Sequence, residues 1–224
     1  MKYEYKKLSL SLLALLAAVI GPNLFVVAQA GYANLSDLAV TYLFPSIAVL
    51  IIIHVLGYFI GLKELSDQLR VGFVAGVIGT IGLEVFRITG FNLGWMPGDL
   101  PKLMGVLLLD QFALGPDTAS NIAGWSYHFW NGAAFGIIYS ILFGKGKVWL
   151  GSVYGFIMGV FFMISPVVIA LGVGYFGVDF SVGFPITVTL AHLAYGTLLG
   201  WFVYRWNKKD LSIFILLKSL VNKK

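Results

Sequence analysis

Cysteine is absent from the 224-residue chain, which excludes disulfides, thiolate metal ligands and iron–sulfur clusters. Charge is scarce: Asp, Glu, Lys and Arg make up 11% of residues, against roughly a quarter in soluble domains. Histidine occurs only three times. There is no glycine-rich phosphate loop and no His-x3-His pair, so no established catalytic signature is present. The net charge of +5 falls in loops and tails. It reports topology and anionic lipid headgroups, and nucleic acid is not an expected partner.

Apolar sequence is abundant. Hydrophobic residues reach 59% and the mean hydropathy is +0.90, with runs longer than the ~18 residues that cross hydrocarbon. The expectation is an all-α polytopic membrane bundle of six spans. These are Leu8 to Ala30 (kinked near Pro22), Leu38 to Gly61 (broken by Pro45), Val71 to Phe91, Ile122 to Phe143, Val148 to Phe176 (kinked at Pro166) and Val182 to Tyr204. Ala28-Gln29-Ala30 resembles a cleavage site, but the preceding apolar stretch exceeds the ~7–15 residues of a signal h-region, so it reads as a retained span.

Between the third and fourth spans, Asn92 to Asn121 has a short apolar core bracketed by Pro97, Pro101 and Pro116. It reads as a re-entrant or surface-lying outer segment. Residues 1–207 thus form the membrane domain, and 208–224 a cytoplasmic amphipathic tail whose apolar stretch, Leu211 to Val221, suits a membrane surface. With both termini cytoplasmic, every basic residue except Lys102 and Arg87 falls on the inner side.

Each histidine heads a glycine stripe: His128, Gly132 and Gly136; His192, Gly196 and Gly200; and, more loosely, His54, Gly57 and Gly61. Helical spacing puts each set on one face. Each stripe lies on the second helix of a hairpin, suggesting a weak three-fold repeat. On span three, Gly72, Gly76, Thr80 and Glu84 step by one turn, with Arg87 beyond. Counting ~1.5 Å per residue puts Glu84, Arg87, His128 and His192 at one level, ~18–26 Å from the inner ends of their helices, with His54 shallower. Asp99 and Asp110 lie above.

Ionisable groups at such depth mark sites or pathways. The leading expectation is an intramembrane metal site with Glu84, His128 and His192 as ligands, suited to a transition metal held by imidazole and carboxylate. A variant is a b-type haem held by His128 and His192. Arg87, Asn131, Tyr195 and Asp99 are then the residues placed to orient those ligands. Two other readings stay open. The cluster lines the path of a small-solute transporter or channel, or it only packs, with Glu84 neutralised by Arg87 and the glycine stripes acting as helix contacts in an accessory subunit. Trp95, Trp125, Trp130 and Tyr127 read as an interfacial belt, and Met96, Met104, Met158 and Met163 as scattered. Expected partners are the lipid bilayer and either other membrane subunits or further copies of the chain.

The stretches WSYHFWNGAAFGIIY and AHLAYGTLLGWFVYRW resemble the His–Gly helices of small bacterial and archaeal membrane families of uncharacterised domains, as do GVIGTIGLEVFRITG and MPGDLPKLMG. The resemblance covers roughly residues 70 to 205 and implies no activity.

Overall fold

A computed structural model describes residues 2–208 and 212–222. The described chain is helical, with no strand among the described residues. Lys209, Asp210, Leu211, Lys223 and Lys224, part of the expected basic tail, lie outside them.

The long helices are α1 (Lys2–Gln29), α3 (Phe44–Phe59), α4 (Lys63–Asn92), α6 (Thr118–Phe143), α7 (Val148–Met163) and α9 (Gly183–Trp206). Short helices are α2 (Leu35–Leu38), α5 (Leu100–Leu108), α8 (Pro166–Ala170) and α10 (Ile213–Val221). Five stretches are long and apolar enough to cross a membrane: Tyr3–Gln29, Leu35–Phe59, Lys63–Asn92, Val148–Ala170 and Gly183–Trp206. Helix α6 has the length but carries too many polar residues to join them. It sits inside the bundle against α1, α4 and α5, where Ser120, Asn131 and Ser140 are buried.

Proline punctuates the apolar helices in three ways. Helix α1 runs unbroken through Pro22. Between α2 and α3 a π-turn, Ala39–Leu43, precedes Pro45. Proline has no N–H and crowds the carbonyl one turn back, and the wider turn accommodates it. At Pro166 the helix stops at Met163 and restarts as α8. The expected extension to Phe176 does not occur, because residues after Ala170 turn repeatedly, with Gly172, Gly174 and Gly177 at positive φ.

Two of the glycine stripes pair helices. Gly72 and Gly76 on α4 meet the backbone at Gly136 and Gly132 on α6, and Gly151 and Gly155 on α7 meet Gly200 and Gly196 on α9. A Cβ on any of these but Gly132, which faces the Thr80 side chain, would collide with the facing backbone, which cannot move aside as a side-chain tip can. Close backbone approach of this kind is how small residues hold helices together in lipid. The two pairs share a plan: a long helix, a short one (α5 or α8), then a histidine helix returning. Helix α4 joins them by packing a second face, with Gly79, Gly82 and Gly90, against Tyr195, Leu198 and Thr187 of α9.

The expected third copy is different. Gly57 faces Leu62 and Ser66 in the next turn of chain, Gly61 is a positive-φ residue after the helix end, and His54 Nδ1 lies 2.8 Å from Ser66 Oγ. The stripe at His54 closes the turn from α3 into the first turn of α4, and its glycines face no second glycine stripe.

One end of the bundle carries the basic residues and is tied across helices. Lys7 pairs with Glu64 at 3.0 Å, and Asn207 donates to the Gly144 carbonyl and Ser140 hydroxyl at 3.0 and 3.2 Å. Helix α10 lays Ile213, Leu216 and Leu220 against α1 and α6 and leaves Phe214 and Leu217 exposed. At the far end, α5 packs on α6 where Gly105 meets the Ser120 carbonyl and Gly124. Helix α5 has 9 residues, ~14 Å of rise, too short to cross ~30 Å of hydrocarbon.

Candidate functional site

Towards the far end of α4, Glu84 and Arg87 stand one turn apart on one face. Arg87 Nε lies 2.7 and 2.9 Å from the two Glu84 oxygens, and Nη2 adds a bond of 2.7 Å. The side chains are only 8% and 7% exposed, so the pairing offsets desolvation that neither charge could sustain alone. Arg87 Nη1 also reaches Asp99 Oδ1 at 3.1 Å, just ahead of α5, and Asp99 lies 3.8 Å from the exposed Lys102 ammonium. Arg87 sits over the Trp125 ring at 5.6 Å.

His128, on α6, places Nε2 at 2.8 Å from Glu84 Oε1. A carboxylate accepts, so Nε2 carries the hydrogen. Two carboxylates, Glu84 and Asp99, thus stand against two cations, Arg87 within the cluster and Lys102 at its exposed edge.

His192, at the same level on α9, does not join this cluster. Its Nδ1 donates to the Val188 carbonyl at 2.9 Å, and its ring stacks on Phe162 at 5.9 Å between centroids. Gly159 of α7 lies against its Cβ. The expected three-ligand set of Glu84, His128 and His192 is therefore not assembled, and no group of three His, Asp or Glu able to hold a metal occurs among the described residues. The reason is local. Arg87 and His128 occupy the Glu84 oxygens, while the carbonyl one turn back holds the His192 ring on its own helix.

The residues expected to orient those ligands have other tasks. The Tyr195 hydroxyl donates to the Gly132 carbonyl at 2.7 Å, binding α9 to α6. Asn131 is buried one turn along α6 from Tyr127, whose hydroxyl donates to the Gly21 carbonyl of α1 at 2.6 Å. Tyr127 is thus a buried tie between helices and no part of an interfacial belt.

Between these elements lies a cavity of about 550 Å³. Its polar lining comprises Arg87, His128, Asn131, Thr80, Thr187, His192, Tyr195, Asn23 and Ser165, and the rest is apolar or aromatic. It therefore collects both histidines, which share no ligand, on one wall system. Met96, Met104 and Met158, scattered in sequence, all line it. No periodicity could have revealed this, since they come from three separate segments. Asn23, Phe161 and Ile164 are both lining and exposed. The cavity thus opens sideways between α1 and α7, where α1 meets this side of the bundle chiefly through α8.

No protein-family description, characterised protein or solved structure matches the chain.

Proposed function

We propose that the chain is an integral membrane protein that binds a small lipophilic molecule taken from the bilayer. On this reading α6 is a sixth span, α5 is the re-entrant segment covering the cavity, and both termini are cytoplasmic. The observation that carries the reading is the cavity. Its volume of about 550 Å³ and its mainly apolar lining with a few convergent polar groups are those of small-molecule sites, which run roughly 300–1,000 Å³. Its opening lies on a flank, where Phe161 is 65% exposed. A flank opening in a membrane-spanning bundle admits solutes from lipid. The buried Glu84–Arg87–His128–Asp99 group closes the far end and fixes the polarity of that wall. Carriage of the same molecule across the bilayer is one use of such a site.

The test is equilibrium binding of N-phenyl-1-naphthylamine, a lipophilic fluorophore, to protein in nanodiscs. Wild type should bind it saturably. Ala191→Phe and Met104→Trp, which fill the cavity from two walls, should abolish that binding while the helical content stays intact. Equal saturable binding by both filled variants, or none by wild type, rejects the cavity as a site.

A second reading keeps a metal or haem, now on His192 alone. Its Nδ1 hydrogen is given to the Val188 carbonyl, which is how metal-bound histidines are commonly oriented, leaving Nε2 as the ligand atom. Under it the purified protein carries metal or a haem absorption band that His192→Gln removes and His128→Gln spares. Purified wild type with neither removes this reading.

A further inference from the structure

The cavity wall carries an arginine and two histidines and no carboxylate among the described residues, and we infer that its occupant is a lipophilic carboxylic acid. The inference rests on the cavity being a ligand site.

The acids of the neighbouring cluster are screened from the cavity. Both Glu84 oxygens are taken by Arg87, and Oε1 also by His128, and these two partners line the cavity while Glu84 does not. Asp99 stands beyond Arg87, beside the exposed Lys102. Two acids and two cations cancel overall. The sign of the wall is therefore set by the charge nearest the cavity, which is the Arg87 guanidinium.

Hydrogen bonding agrees with the charge. Glu84 and Asp99 take one hydrogen from each guanidinium nitrogen, which leaves the remaining hydrogens of Nη1 and Nη2 without an acceptor. The Thr187 hydroxyl faces Gly90 of α4, one turn beyond Arg87, and lines the cavity with no hydrogen-bond partner among the described residues. Both are donors for a carboxyl oxygen. The histidines offer the converse. His192 donates from Nδ1 to Val188 and keeps a lone pair at Nε2, and His128 donates from Nε2 to Glu84 and keeps one at Nδ1.

A carboxylic acid meets both demands. It enters from lipid in neutral form, its carbonyl oxygen accepts from Arg87 or Thr187, and its hydrogen goes to an imidazole lone pair. Where the proton transfers, the O–H bond breaks and an N–H bond forms, and the resulting carboxylate–imidazolium pair is neutral as a whole. An ester has the acceptor and lacks the hydrogen. An alcohol has a single oxygen for both tasks and no charge to set against Arg87. An alkylammonium brings a cation to a wall that already holds one, and no carboxylate there offsets its desolvation.

The experiment displaces N-phenyl-1-naphthylamine from wild-type protein in nanodiscs of zwitterionic phosphatidylcholine. The competitors are dodecanoic acid, methyl dodecanoate, dodecanol and dodecylamine, compared at equal mole fraction in the bilayer. The acid should displace the dye at about tenfold lower mole fraction than the ester or the alcohol, the worth of one hydrogen bond to a charged group. The amine should be the weakest. Saturable dye binding with the ester, the alcohol or the amine as potent as the acid overturns the inference and leaves the cavity site standing. These comparisons use wild type alone, so they decide without any variant having to fold. Thr187→Val and His192→Phe, close in size to the residues replaced, should each narrow the lead of the acid over the ester. A lead unchanged in both overturns the assignment of the carboxyl group to Thr187 and His192. No saturable dye binding to wild type overturns the cavity reading itself.

Discussion

The Tyr195 hydroxyl donates to the Gly132 carbonyl at 2.7 Å, so one histidine helix is hydrogen-bonded to the other one residue beyond Asn131 and one turn beyond His192. Gly132 is also where Gly76 and Thr80 of α4 close in. Three helices therefore meet at one glycine, and the cavity opens beside it. Tyr195→Phe should keep the fold and cost about 0.6–1.7 kcal/mol, the range for one interhelical hydrogen bond in a membrane bundle. Thermal unfolding of the detergent-solubilised protein measures it. A loss much larger than this range would mean that the hydroxyl holds more than Gly132.

The ion pair makes a steeper prediction. Arg87→Gln and Glu84→Gln each leave a buried charge with fewer partners and should destabilise by roughly 3–5 kcal/mol. Asp99→Asn should cost less, because Arg87 keeps Glu84. His128→Gln retains an N–H donor for Glu84 and should cost about 1 kcal/mol or less. Chemical denaturation of the four variants ranks them, and an Arg87→Gln protein as stable as wild type contradicts the network.

Glycine positions divide sharply. Gly76→Val should force α4 from α6, and Gly155→Val should force α7 from α9, because the atoms met are backbone. Gly98→Ala meets nothing within 4 Å and should be neutral. Yield of monodisperse protein separates the classes, and well-folded Gly76→Val and Gly155→Val proteins would show that neither stripe holds its pair.

Outside the bundle, Asp117 caps α6. Its carboxylate accepts from the Ser120 backbone N–H at 2.7 Å, and Ser120 Oγ returns a bond to the Asp117 N–H at 2.9 Å. The backbone bond from Ser120 holds the Asp117 pKa below its ordinary value. With the folded value lowered, the stabilisation is complete above the ordinary value of about 3.9 and is lost as pH falls through the folded value. Asp117→Ala should therefore lower the unfolding temperature at neutral pH and make no difference well below that window. Melting curves across acid pH test the sign, and an Asp117→Ala deficit that persists in acid refutes it.

Orientation is open to a direct check on this cysteine-free chain. Cysteines at Lys147 and Asp110, at opposite ends of α6, should label from opposite sides of a sealed membrane, Asp110 from outside. Labelling of both from the same side would sink the six-span arrangement, and the reverse pattern the cytoplasmic termini.

By sequence alone, helical periodicity and apolar length determined the elements. The glycine stripes placed Gly132, Gly136, Gly196 and Gly200 on contact faces, and rise per residue put Glu84, Arg87 and His128 at one depth. That much is legible because face and depth are properties of a single helix. They also located α6, although its polar residues deny it the apolarity of a lipid-facing span.

Azimuth is different, because how one helix turns its face towards another depends on every neighbour at once. Tertiary packing therefore decided that α4 pairs with α6 and α7 with α9, that the stripe at His54 meets only the start of α4, and that His192 bonds its own helix while His128 takes Glu84. It alone gathered Met96, Met104 and Met158 from three segments around one cavity. A void has no sequence signature, since it is made of what the surrounding side chains leave unfilled.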